Sequence, residues 1–483
     1  MEYESVIGLE VHAELLTDTK IFCGCPAKFG GEPNSHVCPI CLGMPGVLPV
    51  LNKNVVSLAL KASRAINCEI PRECKFDRKN YFYPDLPKAY QISQFDQPIS
   101  RHGWLEINVK GEKRKVNITR LHMEEDAGKL IHAGAERLAG STYSLADYNR
   151  AGVPLVEIVS EPEIRNSDEA KAYLEELRNI LVYTGVCDGK MQEGSLRCDA
   201  NVSVRKKGAE KLGTRVEIKN LNSFRSLQRA IDYEIERQID AIENGEKIIL
   251  ETRLWDENKG YTTTMRTKEE ADDYRYFPDP DLVSLLIDEA WLKKIDDQLP
   301  ELPREKRIRY VEEYGLSEYD AAVLVNSPEM VSFFEETVKL KSNPKIVTNW
   351  IMGDITSFLN DEKLELTQTK LTPELLHELL QLIEKGTING KIAKEILPEI
   401  IKTGESPSQV VESKGVTQIA NNDALLPVVQ NIINANPKQV EQYLSGKDKI
   451  LGFFVGQVMR ETKGRANPEM VNALVIEELN KLK

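Results

Sequence analysis

The most constraining stretch of this 483-residue chain is GLEVHAEL, residues 8–15, which runs straight into a segment holding four cysteines. Ile7, Leu9, Val11 and Ala13 alternate with Gly8, Glu10, His12 and Glu14. A period of two marks a strand buried on one face, because successive side chains point to opposite sides. Glu10 and His12 then share the polar face, about 6–7 Å apart along the strand. A carboxylate and an imidazole on one rigid strand suit an acid/base pair or a hydrated metal ion. An ordinary solvated face is the alternative these two residues leave open.

The next segment, FCGCPAKFGGEPNSHVCPICLGMPG, carries too much glycine and proline to form a helix or a packed strand unaided. Its C-x-C and C-x-x-C pairs, Cys23 with Cys25 and Cys38 with Cys41, suit tetrahedral zinc at Zn–S distances of about 2.3 Å. Four thiolates would fill every position, so the ion is expected to staple the loop and not to catalyse. The remaining four cysteines are scattered, unlike a disulfide framework.

Composition excludes several classes. A chain 41% apolar and 29% charged is globular and soluble, and its length calls for two or three domains. It has no apolar run of about 18 residues and no basic-then-apolar leader, so a cytoplasmic location is expected. The net charge of −13 argues against bulk electrostatic attachment to nucleic acid. Residues 411–483 are the exception, with nine Lys/Arg against eight Asp/Glu, and are the expected place of contact with a polyanion.

Between residues 71 and 95, Arg78, Lys79 and Lys88 interleave with aromatics such as Tyr81, and Pro84 and Pro87 preclude a long helix. Such a stiffened loop suits a nucleotide, or is simply a packed surface loop with cation–π contacts. The strand-like run that follows ends in Glu124, Glu125 and Asp126, either a solvated turn or, beside Glu10 and His12, an oxygen-rich Mg²⁺ site. Residues 166–184 read as a helix capped by Asn166, and 223–244 as a long amphipathic helix. Between them, GSLRCDANVSVR places Ser195, Arg197, Asp199, Asn201 and Ser203 on one strand face, a mixture suited to a binding surface. The composition turns helical after LPELP, residues 299–303. A P-loop is absent: Gly386 and Gly390 are separated by three residues where four are needed, and Ile392 follows Lys391. No GxGxxG, GxSxG or HExxH occurs, and no glutaminase nucleophile can be picked out.

Taken in order, GLEVHAEL with its cysteine pairs, RKNYFYPDLPKAYQISQ, LHMEEDAGK, DYNRAGVPLVEIVSEP, EGSLRCDANVSVR, EIKNLNSF and DDYRYFPDPDL resemble the B subunit of bacterial aspartyl/glutamyl-tRNA amidotransferases. GTINGKIAKEI and GFFVGQVMRETKGRANP resemble its C-terminal part. The resemblance implies an α+β chain: a strand-rich cradle over residues 1–292, a helical domain over 293–406 and a small helical tail over 407–483. It implies ATP-dependent phosphorylation of the side-chain carboxylate of Glu-tRNA(Gln) and/or Asp-tRNA(Asn), followed by amidation. The expected partners are an amidase A subunit that supplies ammonia, a small C subunit and the misacylated tRNA.

On that reading Glu10, His12, Glu124 and Glu125 hold Mg²⁺, with Glu10, His12, Glu125 and Lys79 catalytic. Lys79, Lys88, Tyr81, Glu193, Ser195, Arg197 and Asp199 contact ATP or substrate. Cys23, Cys25, Cys38 and Cys41 bind structural Zn²⁺, and Arg460, Lys463, Arg465 and Asn467 meet tRNA. The competing reading is a non-catalytic RNA-binding scaffold; a metallohydrolase is a third.

Overall fold

The computed structural model describes residues 2–133, 141–267, 274–416, 422–462 and 465–482, which form two compact units, Met1–Pro303 and Arg304–Lys483. The first is built on a sheet of eight strands among the described residues: β1 (Tyr3–Glu14), β2 (Ser100–Val109), β3 (Glu112–Glu125), β4 (Pro154–Ser160), β5 (Leu196–Lys206), β6 (Val216–Leu221), β7 (Glu251–Asp256) and β8 (Tyr261–Thr267). Their order is β8-β7-β6-β5-β1-β4-β3-β2, so the first strand lies at the centre. Neighbours run antiparallel except β6 and β7. That parallel pair needs a crossover, which the long helix between them supplies.

Alternation decides which face is which. Ile7, Leu9, Val11 and Ala13 are 0% exposed and join Cys198, Ala200, Val202, Val156, Ile158, Leu121 and Met123 in one core. Helices α1 (Lys53–Ala65), α2 (Ser167–Tyr183) and α3 (Phe224–Glu243) contribute to that core from the same side. Asn166 caps α2 by accepting from the Glu169 N–H, and Ser223 caps α3. The opposite face keeps the polar residues of β1, β3, β4 and β5.

The segment expected to be a proline-stiffened loop is partly sheet. Asp77–Asn80 pairs antiparallel with Tyr90–Ser93, and Phe277–Pro278 adds a third strand. Pro84 and Pro87 fall in the connection, where no ladder N–H is needed. Helix α4 (Glu289–Asp296) belongs to the first unit, because Ile287, Ile295, Trp291, Leu292, Leu299 and Leu302 pack on its core. That packing carries the unit past residue 292 to Pro303.

The second unit is helical among its described residues, from α5 (Pro303–Glu312), whose first residue closes the first unit, to a last helix at Pro468–Asn480. Helices α6 (Asn422–Ala435), α7 (Leu451–Glu461) and α8 (Pro468–Asn480) share a small core of Leu425, Val429, Phe454, Val458, Val471 and Val475. No helix among the described residues is long and apolar enough to cross a membrane. Strand-rich first unit and helical second unit agree with the α+β expectation.

Candidate functional site

Strand register brings one row of side chains across the polar face. Arg197 of β5 stands opposite His12 of β1, His12 opposite Glu157 of β4, and Glu157 opposite His122 of β3. Glu124, two residues beyond His122 on the same face, closes a square of two imidazoles and two carboxylates. His12 Nε2 lies 3.4 Å from Glu157 Oε2 and 3.6 Å from Glu124 Oε1. His122 Nε2 lies 3.3 Å from Glu157 Oε2 and 3.7 Å from Glu124 Oε2. Ser93 Oγ donates to Glu124 at 3.3 Å.

Burial opposes charge on every member of the square, and mutual pairing overcomes it. Burial would lower the His122 imidazole, but Glu157 and Glu124 push it up to about 9; His12 is raised by the same two carboxylates. Against its own burial Glu157 is held well below the usual carboxylate range by His122 and His12, and Glu124 is held low chiefly by His122. Glu10, one step along β1, is raised by burial and by Glu157, and accepts from Asn201 Nδ2 at 2.8 Å. Donor atoms of His12, Glu124 and Glu157 lie within 4.8 Å of one another. One imidazole nitrogen with two carboxylate oxygens is a fitting donor set for a divalent cation.

Glu125 does not join this group, and the reason is the strand itself: consecutive residues project to opposite faces. Its carboxylate turns to the cysteine side, where Lys88 Nζ donates to it at 2.5 and 2.7 Å and the Ile92 N–H at 2.9 Å. Lys88 is therefore spent on Glu125 and does not face the square. Lys79 sits beneath Tyr274 and Tyr81, 4.9 and 5.9 Å from their ring centroids. Burial would depress its ammonium, but Glu124 and Glu157 are among the groups that hold it above the ordinary range. Tyr81 packs edge-on to Tyr274, Tyr274 to Tyr276, and Tyr276 stacks on Phe95 at 4.2 Å, giving Lys79 an aromatic wall.

Arg197 Nη2 donates to Asp126 at 2.7 Å, and Arg150 braces the same carboxylate at 3.4 Å. Burial and Asp126 raise the neighbouring Glu14 carboxyl to about 7, against the pull of Arg197 and Arg150. Asp199 pairs with Lys219 at 2.5 Å, and Lys219 also reaches Glu217 at 2.9 Å. Glu193 is exposed and bonded to Lys190 at 3.0 Å, while the Ser195 hydroxyl donates to Asp188 and to the Lys190 carbonyl. These last two lie at the end of β5, outside the square.

The sulfurs of Cys23, Cys25, Cys38 and Cys41 lie within 4.8 Å of one another. Tetrahedral zinc at about 2.3 Å from each sulfur needs them about 3.8 Å apart, so a small contraction suffices. Cys41 is held down at about 4 chiefly by the hydrogen bond from Cys23, which is itself raised by the same bond and by burial. The loop is sewn to the end of the short strand Ser144–Asp147 and the two residues after it: the His36 N–H donates to Asn149 Oδ1, the Asn34 N–H to Asp147 Oδ1, and the Tyr148 N–H to Asn34 Oδ1. Gly43 adopts φ +65°, and a Cβ there would run into the Lys88 side chain.

In the second unit Arg460 is exposed, and Arg465 donates from Nη1 to the Gly415 carbonyl at 3.0 Å. The Asn467 side chain is used as the cap of α8, accepting from the N–H groups of Glu469 and Met470. Lys463 lies outside the described residues.

Four residues of the face escaped sequence reasoning: His122, Glu157, Tyr274 and Tyr276. The signals were present. His122 shares the period of two with Glu124, and Glu157 is a lone acid within the apolar run PLVEIV. The tyrosines sit nearly two hundred residues from Lys79 in sequence and carried no local sign of it.

Residues 5–293 match the model of the GatB/GatE catalytic domain, and residues 332–479 match that of the GatB domain. A protein of Carboxydothermus hydrogenoformans is 57% identical over 481 residues, covering all of both chains. One of Brevibacillus brevis is 56% identical over 483 residues, again covering all of both, and one of Acaryochloris marina is 56% identical over 99% of this chain and 98% of its own. All three carry the name of the B subunit of an aspartyl/glutamyl-tRNA(Asn/Gln) amidotransferase. With the catalytic-domain match spanning the whole sheet and these relatives aligned end to end, the chain belongs to the GatB family of tRNA amidotransferase B subunits.

Proposed function

We propose that this chain uses ATP to phosphorylate the side-chain carboxylate of Glu-tRNA(Gln) and/or Asp-tRNA(Asn), and then directs ammonia onto the acyl phosphate to form the amide. The observation that carries this reading is the square of His12, Glu124, Glu157 and His122, flanked by Lys79, on the polar sheet face of a GatB-family chain. A carboxylate resists attack by ammonia, so its oxygen must first be made a leaving group. The carboxylate oxygen attacks the γ-phosphorus and ADP departs; ammonia nitrogen then attacks the acyl carbon, phosphate departs and one N–H proton is released. Phosphoryl transfer depends mainly on positioning and compensation of charge.

His12, Glu124 and Glu157, with Glu10 beside them, would hold Mg²⁺, which when bound supplies positive charge to the phosphate oxygens. Glu157 takes the place first expected for Glu125. His122 holds both carboxylates in place by ion pairing. Lys79 adds a permanent cation within a low-dielectric aromatic wall, where it acts over a longer range than in water. Arg197 and Asp199 border the same face and are candidates for contact with phosphate or with the incoming ammonia. Tyr81 belongs to the wall, whereas Lys88 is engaged by Glu125, and Ser195 and Glu193 lie outside the square.

The four cysteines would hold Zn²⁺ as a staple of the loop. Ammonia would come from an amidase A subunit, with a small C subunit joining the two. A division of the helical part at residue 406, with the tail's Arg460, Lys463, Arg465 and Asn467 as its contacts to tRNA, belongs to this proposal.

The test is ADP release by the three-subunit enzyme with charged and uncharged tRNA. Release that requires Glu-tRNA(Gln) or Asp-tRNA(Asn) and falls at least a hundredfold in Glu124→Gln is expected, about the weight of a lost charge-stabilising group. Release indifferent to the aminoacyl group, or unchanged in Glu124→Gln, would favour the non-catalytic scaffold instead.

A further inference from the structure

Lys20 follows the first strand and opens the cysteine segment, and it is 0% exposed. An ammonium ion removed from water is strongly unfavourable unless partners replace its hydration and balance its charge. Lys20 Nζ donates to the His36 carbonyl at 2.7 Å, to the Tyr148 carbonyl at 3.3 Å and to Cys41 Sγ at 3.7 Å. Those three contacts use its three N–H groups. Among the described residues no carboxylate lies within ion-pairing distance of it. Glu125, which approaches the same space beside Gly152 as the Lys20 stem, makes no ion pair with it and is engaged by Lys88. The one partner able to bear a negative charge is therefore the sulfur.

Four thiolates around a divalent ion carry a net charge of −2, and Cys41 is the member that meets Lys20. Its sulfur also accepts the Cys38 N–H at 3.2 Å, so two donors converge on one ligand atom. A Cβ added at Gly152, whose φ is +84°, would stand in ordinary van der Waals contact with the Cys41 Cβ at 3.6 Å and the Lys20 Cδ at 3.5 Å, so the backbone passes close beside both side chains.

We propose that Lys20 is the buried counter-cation of the four-cysteine metal site, placed to compensate part of its charge through Cys41. This rests on the metal reading of the four thiols. It explains why a lysine, and not an apolar side chain of the same length, fills a position wholly closed to solvent. The dependence is mutual: without metal the loop loses the staple that keeps it closed over Lys20.

The full-length chain would be loaded with zinc and titrated against a chromophoric chelator as wild type, Lys20→Met and Lys20→Arg. Lys20→Met should lose roughly 10- to 100-fold in zinc affinity, the usual weight of a group bonded to a metal ligand. Lys20→Arg should stay close to wild type. In cobalt-loaded protein the sulfur-to-metal charge-transfer band should move to lower energy in Lys20→Met, because a thiolate without its donor releases charge more readily. Equal affinity in Lys20→Met and wild type would overturn the assignment. Should Lys20→Met not fold, wild-type protein gives the answer through amine-selective acetylation read by mass spectrometry. Lys20 should be protected with zinc bound and acetylated after chelation; protection that persists without metal would overturn it. Failure of wild type to retain zinc at all would remove the metal reading itself.

Discussion

His12 Nε2 and Glu157 Oε2 lie 3.4 Å apart, directly across the ladder between the first and fourth strands of the main sheet. The same Glu157 oxygen is 3.3 Å from His122 Nε2, so one carboxylate holds two imidazoles. Replacing it by glutamine keeps the shape and deletes the charge. Glu157→Gln is expected to lower tRNA-dependent ADP formation by about a hundredfold or more, with tRNA binding little changed. Stopped-flow ADP release and a filter-binding assay separate the two effects; full activity would show that His12 and His122 work without it.

Lys88 and Glu125 form a well-shielded ion pair, with side chains 10% and 4% exposed. Removing either partner leaves a buried charge and should cost roughly 3–5 kcal/mol of stability. The double change Lys88→Met with Glu125→Leu should recover most of that loss, since neither charge remains. Urea unfolding of the four proteins in a double-mutant cycle measures the coupling. Additive losses would mean that the two side chains act independently.

The cysteine segment owes its shape to its ligand knuckles and to its hydrogen bonds with Asp147, Tyr148 and Asn149, not to a core of its own. Chelation of the metal, or Cys25→Ser, should open protease sites within residues 23–50 while the eight-stranded sheet stays resistant. Mass mapping of limited-proteolysis fragments checks this. Cleavage spread evenly over the first unit would contradict it.

Glu14 carries a carboxyl raised to about 7 by burial and by Asp126, against an ordinary value of 4.5. A raised acid binds its proton more tightly when folded, so it favours the native state below about pH 4.5 and loses that contribution as pH climbs through 7. Glu14→Gln, neutral at every pH, should match wild type near pH 4.5 and exceed it in stability at pH 8. Thermal unfolding across that range tests the sign; a mutant less stable than wild type at pH 8 would reverse it.

Much of this was legible in the sequence because it is local. Strand periodicity depends on neighbours two residues apart, and it assigned the faces of residues 7–14 and 195–204 before any pairing was known. Asn166 and Ser223 announce helix starts because their side chains bond backbone N–H groups two or three residues on. The spacing of Cys23, Cys25, Cys38 and Cys41 confines four thiols to one small volume whatever the rest of the chain does. Long motifs in register then resembled one family, to which the chain belongs.

What the sequence could not determine is which polar residues meet, because that follows from strand order and from side-chain direction at each strand end. Glu124 and Glu125 are equivalent in composition, yet one pleat sends the first to His12 and the second to Lys88. Glu157 reaches His12 only because the fourth strand lies beside the first. Tyr274 and Tyr276 enclose Lys79 only because Phe277–Pro278 pairs with Asp77–Asn80. Local patterns fixed the elements and their faces, since those depend on short-range sterics and burial. Only tertiary pairing, which brings distant segments within hydrogen-bonding range, assembled the site.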